Sequence, residues 1–244
     1  MNSAAPSLKQ AFEEIHNSLP ELLCSGPEKP TPFPKNKKAM IHERKEELLA
    51  LRLRCQEGLQ LIIESMTATD QTQATALSQI LHEKFASICN PSIFTLVVLG
   101  VVAGKSWREA FKIPKESCNA LYEEAKKIFE EGKFQEAISC FIFLTWLDGK
   151  QYDFWIALGH SYYHSANHCL AVKAYEIASH TNPNEVWPHI YSALCFEALC
   201  NQEEAKESIL KGLEKAKQHG DEKLSLALQQ KIEKYKQEPI TPIS

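Results

Sequence analysis

Two stretches of this chain carry residue types that could do chemistry. The first, Gly100-Val-Val-Ala-Gly104-Lys105-Ser106, has the ingredients of a phosphate-binding loop: glycines that open the backbone amides, a lysine for phosphate charge and a hydroxyl for magnesium. It is one residue short. Such loops place four residues between the glycines so that the amides encircle a phosphate, and they follow a strand in a parallel sheet; here three residues intervene and the flanking sequence is helical. Ser106 followed by Glu109 instead writes a capping box, which predicts a short helix opening at Ser106 and running towards Pro114. The second stretch is His160, His164 and His168, spaced i, i+4 and i+8. His164 and His168 could share a metal by spacing, yet position 168 falls past the expected turn between helices, and no carboxylate or cysteine completes a recognised ligand set. Histidines lining a groove suit the same pattern. There is no G-x-S-x-G, no H-E-x-x-H and no Cys–His arrangement with an orienting third group, so no catalytic residue, metal or cofactor is assigned.

Bulk properties narrow the classes further. The net charge of -4 lacks the basic excess that phosphate backbones demand, which excludes nucleic acid as the expected partner. The eight cysteines, at 24, 55, 89, 118, 140, 169, 195 and 200, form no CxxC and sit in helical sequence, which reads as reduced thiols, several of them small buried side chains such as Cys195. The longest apolar run, Ile93 to Gly104, is about half the ~20 residues a membrane-spanning helix needs, so no membrane insertion is expected. Residues 1–20 carry Glu13, Glu14, Pro6 and Pro20 where a signal peptide would be apolar, and the expected location is cytoplasmic.

The elements that must position any site are helices in a repeat. From Asp153 to Pro183 the chain reads large-Leu-small-aromatic (Trp155, Leu158, Gly159, Tyr162), then Ala171, Tyr175, Ala178 and Pro183, which is the tetratricopeptide pattern. Stepping by 34 residues aligns Ala137, Ala171 and Ala205. It also aligns the small residues Ala125, Gly159 and Ala193, and the bulky Phe141, Tyr175 and Ile209. Three units follow: Cys118 to Gln151, Tyr152 to Glu185, and Val186 to about His219. The expected fold class is all-α, a tetratricopeptide-repeat solenoid with an N-terminal helical extension and a C-terminal capping helix.

In chain order, residues 1–34 are expected to form an amphipathic arm, with Leu8, Phe12, Ile15 and Leu19 as its stripe, and a Pro-rich linker. The arm is read either as a loosely docked terminus or as an element for dimerisation or client contact. Residues 35–92 read as a helical extension, with one helix striped by apolar positions 48, 51, 55, 59, 62 and 66. A second helix follows Asp70, striped by Ala74, Leu77, Leu81, Phe85 and Ile88, and stops at Asn90-Pro91. Residues 93–117 are lead-in helices, 118–219 the repeats, and 220–244 a helix capped by Asp221 and a tail from Pro239.

In tetratricopeptide arrays the first helix of each repeat lines a concave face through its second, fifth, ninth and twelfth positions. In this register these include Tyr122, Lys126 and Phe129; Ile156, His160 and Tyr163; and Trp187, Ile190 and Leu194. The predominance of large apolar groups points to an extended peptide as the ligand. A general tetratricopeptide scaffold joining other folded proteins is the alternative.

The segments Leu121 to Asp148, FWIALGHSYYHSANHCLAVKAYEIA and WPHIYSALCF resemble the class II chaperones of type III secretion, the SycD/LcrH family, over about residues 93 to 217. Gly104-Lys-Ser stands at the family's Gly-Thr start of the helix before the repeats. The resemblance implies a small, non-catalytic, cytoplasmic three-repeat protein that grips a short extended segment of a hydrophobic translocator subunit before export. By position, Tyr122 and Phe129 match aromatic pocket residues of the family's first repeat, whereas Lys126 stands where an aromatic is usual. Some 90 residues precede the similar part, where the family has a brief arm used for dimerisation. That length is compatible with wider coverage of the client, or with a different secreted client such as the gatekeeper of the channel, and with a homodimer through the N-terminal helices.

Overall fold

The computed structural model describes residues 37–87 and 91–237. The arm carrying Leu8 to Leu19, its Pro-rich linker, Ile88, Asn90 and the tail from Pro239 lie outside the described residues. All regular structure among the described residues is α-helical. They group into two compact units, one of residues 37–87, 91–125 and 142–148, the other of residues 126–141 and 149–237.

In the first unit, α1 (Lys37–Thr69) and α2 (Gln71–Ala86) pack as a hairpin. Asp70 makes the turn sharp, its carboxylate accepting from the Gln73 amide at 3.0 Å, an N-cap that contributes about 1 kcal/mol. Cys55, Leu59, Ile62 and Met66 on α1, and Ala74, Leu77, Leu81 and Phe85 on α2, are buried. Leu51, expected on the same stripe, is exposed, and so is Leu53. The 16 residues of α2 reach roughly 24 Å, about half the length of the 33-residue α1, so α2 covers only part of that stripe.

The helix α3 (Pro91–Val102) packs on α4 (Trp107–Phe111). The amides that a phosphate loop would offer are already occupied here. Gly104 N–H donates to Val101 O and Lys105 N–H to Gly100 O, closing the end of α3 with Gly104 at φ 89°. The Ser106 amide donates to the Glu109 carboxylate at 2.8 Å and the Ser106 hydroxyl accepts from the Glu109 amide, which completes the capping box.

Around α4 an aromatic cluster forms. Trp107 stacks on Trp146 at 5.4 Å, Phe85 meets Phe111 edge-on at 5.1 Å, and Phe143 lies against Trp146. Beside it Arg108 Nε donates to the buried Asp148 carboxylate at 2.6 Å, and Ser65 of α1 donates to the buried Glu124 at 2.6 Å. Phe85 thereby joins the N-terminal extension to the lead-in helices, and Ser65 joins it to the first repeat.

The helices α5 (Lys115–Glu130) and α6 (Phe134–Leu147) contribute to both units. The second unit continues with α7 (Tyr152–His164), α8 (His168–Thr181), α9 (Trp187–Ala198), α10 (Gln202–Gln218) and α11 (Glu222–Gln237). From α7 to α11 each helix packs on the next, as a solenoid requires. First helices end at Glu130, His164 and Ala198, and second helices begin at Phe134, His168 and Gln202, so both boundaries recur every 34 residues. The columns of small and bulky residues, Ala125/Gly159/Ala193, Ala137/Ala171/Ala205 and Phe141/Tyr175/Ile209, are all buried.

The same period fixes the turns. Gly132, Ala166 and Cys200 all have left-handed φ, at 78°, 58° and 56°. Each turn closes with the same pair of bonds, such as Ala166 N–H to Tyr163 O and Asn167 N–H to Tyr162 O, a Schellman motif. Only the first copy uses glycine. A Cβ in this conformation costs roughly 1–2 kcal/mol, partly offset by the stiffer unfolded chain. Ala166→Gly and Cys200→Gly are therefore each expected to stabilise the protein by about 0.5–1 kcal/mol, read as a higher midpoint in urea denaturation with unchanged slope.

Candidate functional site

The contact that organises the second unit lies between α7 and α8. A Cβ built on Gly159 would come within 2.3 to 2.8 Å of three ring atoms of Tyr175, so the buried Tyr175 ring rests directly on the α7 backbone. The glycine serves ring-on-backbone packing, a closer approach than any other residue allows. Seated there, Tyr175 places its hydroxyl 2.9 Å from His160 Nδ1. Around that bond Ala171, Val172, Tyr175 and Cys195 form a buried core, against which Ile156, Tyr162, Tyr163, Tyr191 and Phe196 pack half-buried. Burial, then the neighbouring His164, holds the His160 imidazole below its ordinary value and favours the neutral ring.

The expected groove residues fall into different environments. Tyr122 lies in the first unit and is half-buried. The other eight, Lys126, Phe129, Ile156, His160, Tyr163, Trp187, Ile190 and Leu194, lie in the second. Of these only Trp187 is largely exposed, at 48%. Ile190 packs against the core built from Val186, Ala193, Ile209, Leu213, Ala216, Leu228 and Ile232, and His160 is engaged with Tyr175, so both also serve the scaffold.

Two aromatic clusters emerge. In one, His164 stacks on Phe134 at 4.8 Å and meets Phe129 and Tyr163 edge-on, while His168 meets Tyr163. In the other, Tyr191 meets His160 edge-on at 4.6 Å, packs on Tyr175 at 5.3 Å and stacks with Trp187 at 6.0 Å. Sequence reasoning passed over Phe134 and Tyr191. Tyr191 stands one turn beyond Trp187 on α9, a legible i, i+4 aromatic pair. Phe134 opens a second helix, outside the register of first-helix positions.

The third repeat departs from the first two. Where they carry Phe129 and Tyr163, it has Glu197, whose carboxylate accepts from the Tyr235 hydroxyl at 2.6 Å and from Lys231 Nζ at 2.9 Å. Both donors belong to α11, and Gln202 donates to the Tyr235 carbonyl. The capping helix therefore closes the row at that end.

Cys55, Cys118 and Cys195 are free thiols pushed up to about 12 by burial, protonated and inert at neutral pH. Among the described residues no three His, Cys, Asp or Glu side chains are placed to hold a metal, and no helix is long and apolar enough to cross a membrane.

No family model and no curated protein matches the chain. Solved structures do. A chain of a type III secretion system complex from Aeromonas hydrophila is 19% identical, covering 58% of this chain and 95% of its own, with a TM-score of 0.54. The translocator chaperone SycD of Yersinia enterocolitica is 21% identical over 53% of this chain and 98% of its own, at 0.49. A chain of a CopN–Scc3 complex is 23% identical over 47% and 68%, at 0.46. The Aeromonas similarity shows the fold: this chain shares the all-helical fold of a chain of that type III secretion complex.

Two tests follow from the Gly159–Tyr175–His160 contact. Gly159→Ala gains about 1 kcal/mol of helix propensity but overpacks a buried ring, which costs up to ~3 kcal/mol, so a net loss of about 1–2 kcal/mol is expected in urea denaturation. Burial also lowers the proton affinity of His189, helped by Lys211, Lys215 and His180. Because the unfolded chain protonates these histidines first, at a pH near 6.5, stability is greatest above that pH and falls as pH drops towards the folded values. Urea midpoints measured between about pH 7.5 and pH 5.5 should decline, with a shallower decline in His160→Gln.

Proposed function

We propose that the first-helix face of the second unit holds an extended segment of a secreted type III client, a translocator or gatekeeper subunit. The protein would thereby keep that client soluble and export-competent in the cytoplasm, as a non-catalytic chaperone. The observation that carries this reading is the set of incompletely buried aromatics on one repeat framework: Phe129, Tyr163, Tyr191 and Trp187. Rigid aromatic groups bind apolar side chains at small entropic cost, which is why they dominate binding hot spots. Lys126 adds a polar group suited to the main chain of an extended segment, His160 fixes the aromatic face through Tyr175 and Tyr191, and Ile156, Ile190 and Leu194 supply the apolar floor. The fold shared with a type III secretion complex, together with the family resemblance over about residues 93 to 217, supports this class of client.

Coexpression with translocator and gatekeeper subunits, followed by calorimetry on any soluble complex, tests the reading. Trp187→Ala removes the most exposed aromatic and should weaken client binding by about 10-fold or more while leaving the thermal melt nearly unchanged. Phe129→Ala should weaken binding similarly at some cost in stability, since its ring packs on Phe134 and His164. If neither client forms a soluble complex, or if both variants bind with unaltered affinity, this assignment is wrong. Binding that disappears when a folded partner's chain terminus is removed would favour a general scaffold instead.

A further inference from the structure

The first unit presents an apolar surface that the client-binding reading does not use. From Pro91 to Gly104 the chain has no charged residue, and on α3 Leu96, Leu99 and Val102 are 68%, 57% and 75% exposed. Leu96, Leu99 and the exposed Ala103 share one side of the helix, flanked by Ile93 and Val102. Water-exposed leucines at this density mark a docking surface.

We propose that this face is covered by the chain's own N-terminal segment, residues 8–19, docked along α3 as an amphipathic helix. In that segment Leu8, Phe12, Ile15 and Leu19 recur at four, three and four, which sets all four within a narrow stripe. Lys9, Gln10, Glu13, Glu14 and Asn17 fall on the opposite side, so the docked segment replaces an apolar surface with a charged one. The sizes agree. Twelve helical residues span roughly 18 Å, the length of α3.

Reach also favours this occupant. Lys37, where the linker ends, and α3 belong to the same compact unit. The 17 residues from Pro20 to Asn36 have a root-mean-square span of about 23 Å as a coil, lengthened somewhat by proline. A short tether that spans its gap gives an effective concentration near the millimolar range, far above the concentration of a second copy in dilute solution. The same argument separates the chain's own segment from a segment of another molecule.

The test uses the full chain with a benzophenone photo-cross-linker in place of Phe12 and mass-spectrometric mapping of the products. The expected product joins residue 12 to the Leu96–Val102 region of the same molecule, in a fraction constant over a roughly hundredfold range of protein concentration. Leu96→Asp combined with Leu99→Asp should reduce that product about tenfold or more. Both side chains are solvent-exposed, so helicity by circular dichroism should be preserved. Cross-links to another region, cross-links between two molecules that rise with concentration, or a product insensitive to the two aspartates would each overturn the proposal.

Discussion

The second unit depends on a tyrosine ring lying where a side chain would otherwise be. With Tyr175 against the backbone of Gly159, α7 and α8 approach more closely than side-chain packing allows, and the ring is held in one orientation by the surrounding core. That orientation aims the hydroxyl at His160. His160 in turn meets Tyr191, and Tyr191 stacks with Trp187. A contact made for packing thus propagates through three further rings to the most exposed aromatic of the proposed binding face. The face is rigid because its foundation is buried, and rigidity is what lets aromatic groups bind a flexible peptide without a second entropic penalty.

The first unit is built on a different principle. Its α1–α2 hairpin is too unequal in length to bury its own stripe throughout, and what holds it to α4 is a cluster of Trp107, Phe111, Trp146 and Phe85. Two carboxylates are buried in this unit and both are hydrogen-bonded, Asp148 by Arg108 and Glu124 by Ser65. A buried ion pair such as Arg108–Asp148 stabilises little compared with apolar packing, because desolvating the two charges offsets much of their attraction.

Much of the architecture was legible because a repeat states each requirement three times. The columns headed by Gly159, Ala171 and Tyr175 demanded buried positions at a fixed period, and the backbone returns that period in helix ends and left-handed turns at Gly132, Ala166 and Cys200. Local polar signals were equally readable, since the caps at Asp70, Ser106 and Asp221 depend only on residues three positions apart. Leu51 misled because a periodic stripe records which side of a helix is apolar and is silent on how far the neighbouring helix extends.

The sequence by itself determined the class of fold, the register of the repeats and the absence of a working phosphate loop, all of which follow from spacings along one helix or across one turn. Only the tertiary structure decided how exposed each of the expected groove residues is. Trp187 stands in solvent whereas His160 is engaged by Tyr175, and Glu197 takes the place of an aromatic because Lys231 and Tyr235 of the capping helix need an acceptor there. The physical reason is that exposure and hydrogen bonding belong to pairs of residues far apart in the chain, and a periodic pattern constrains each helix without naming its partner.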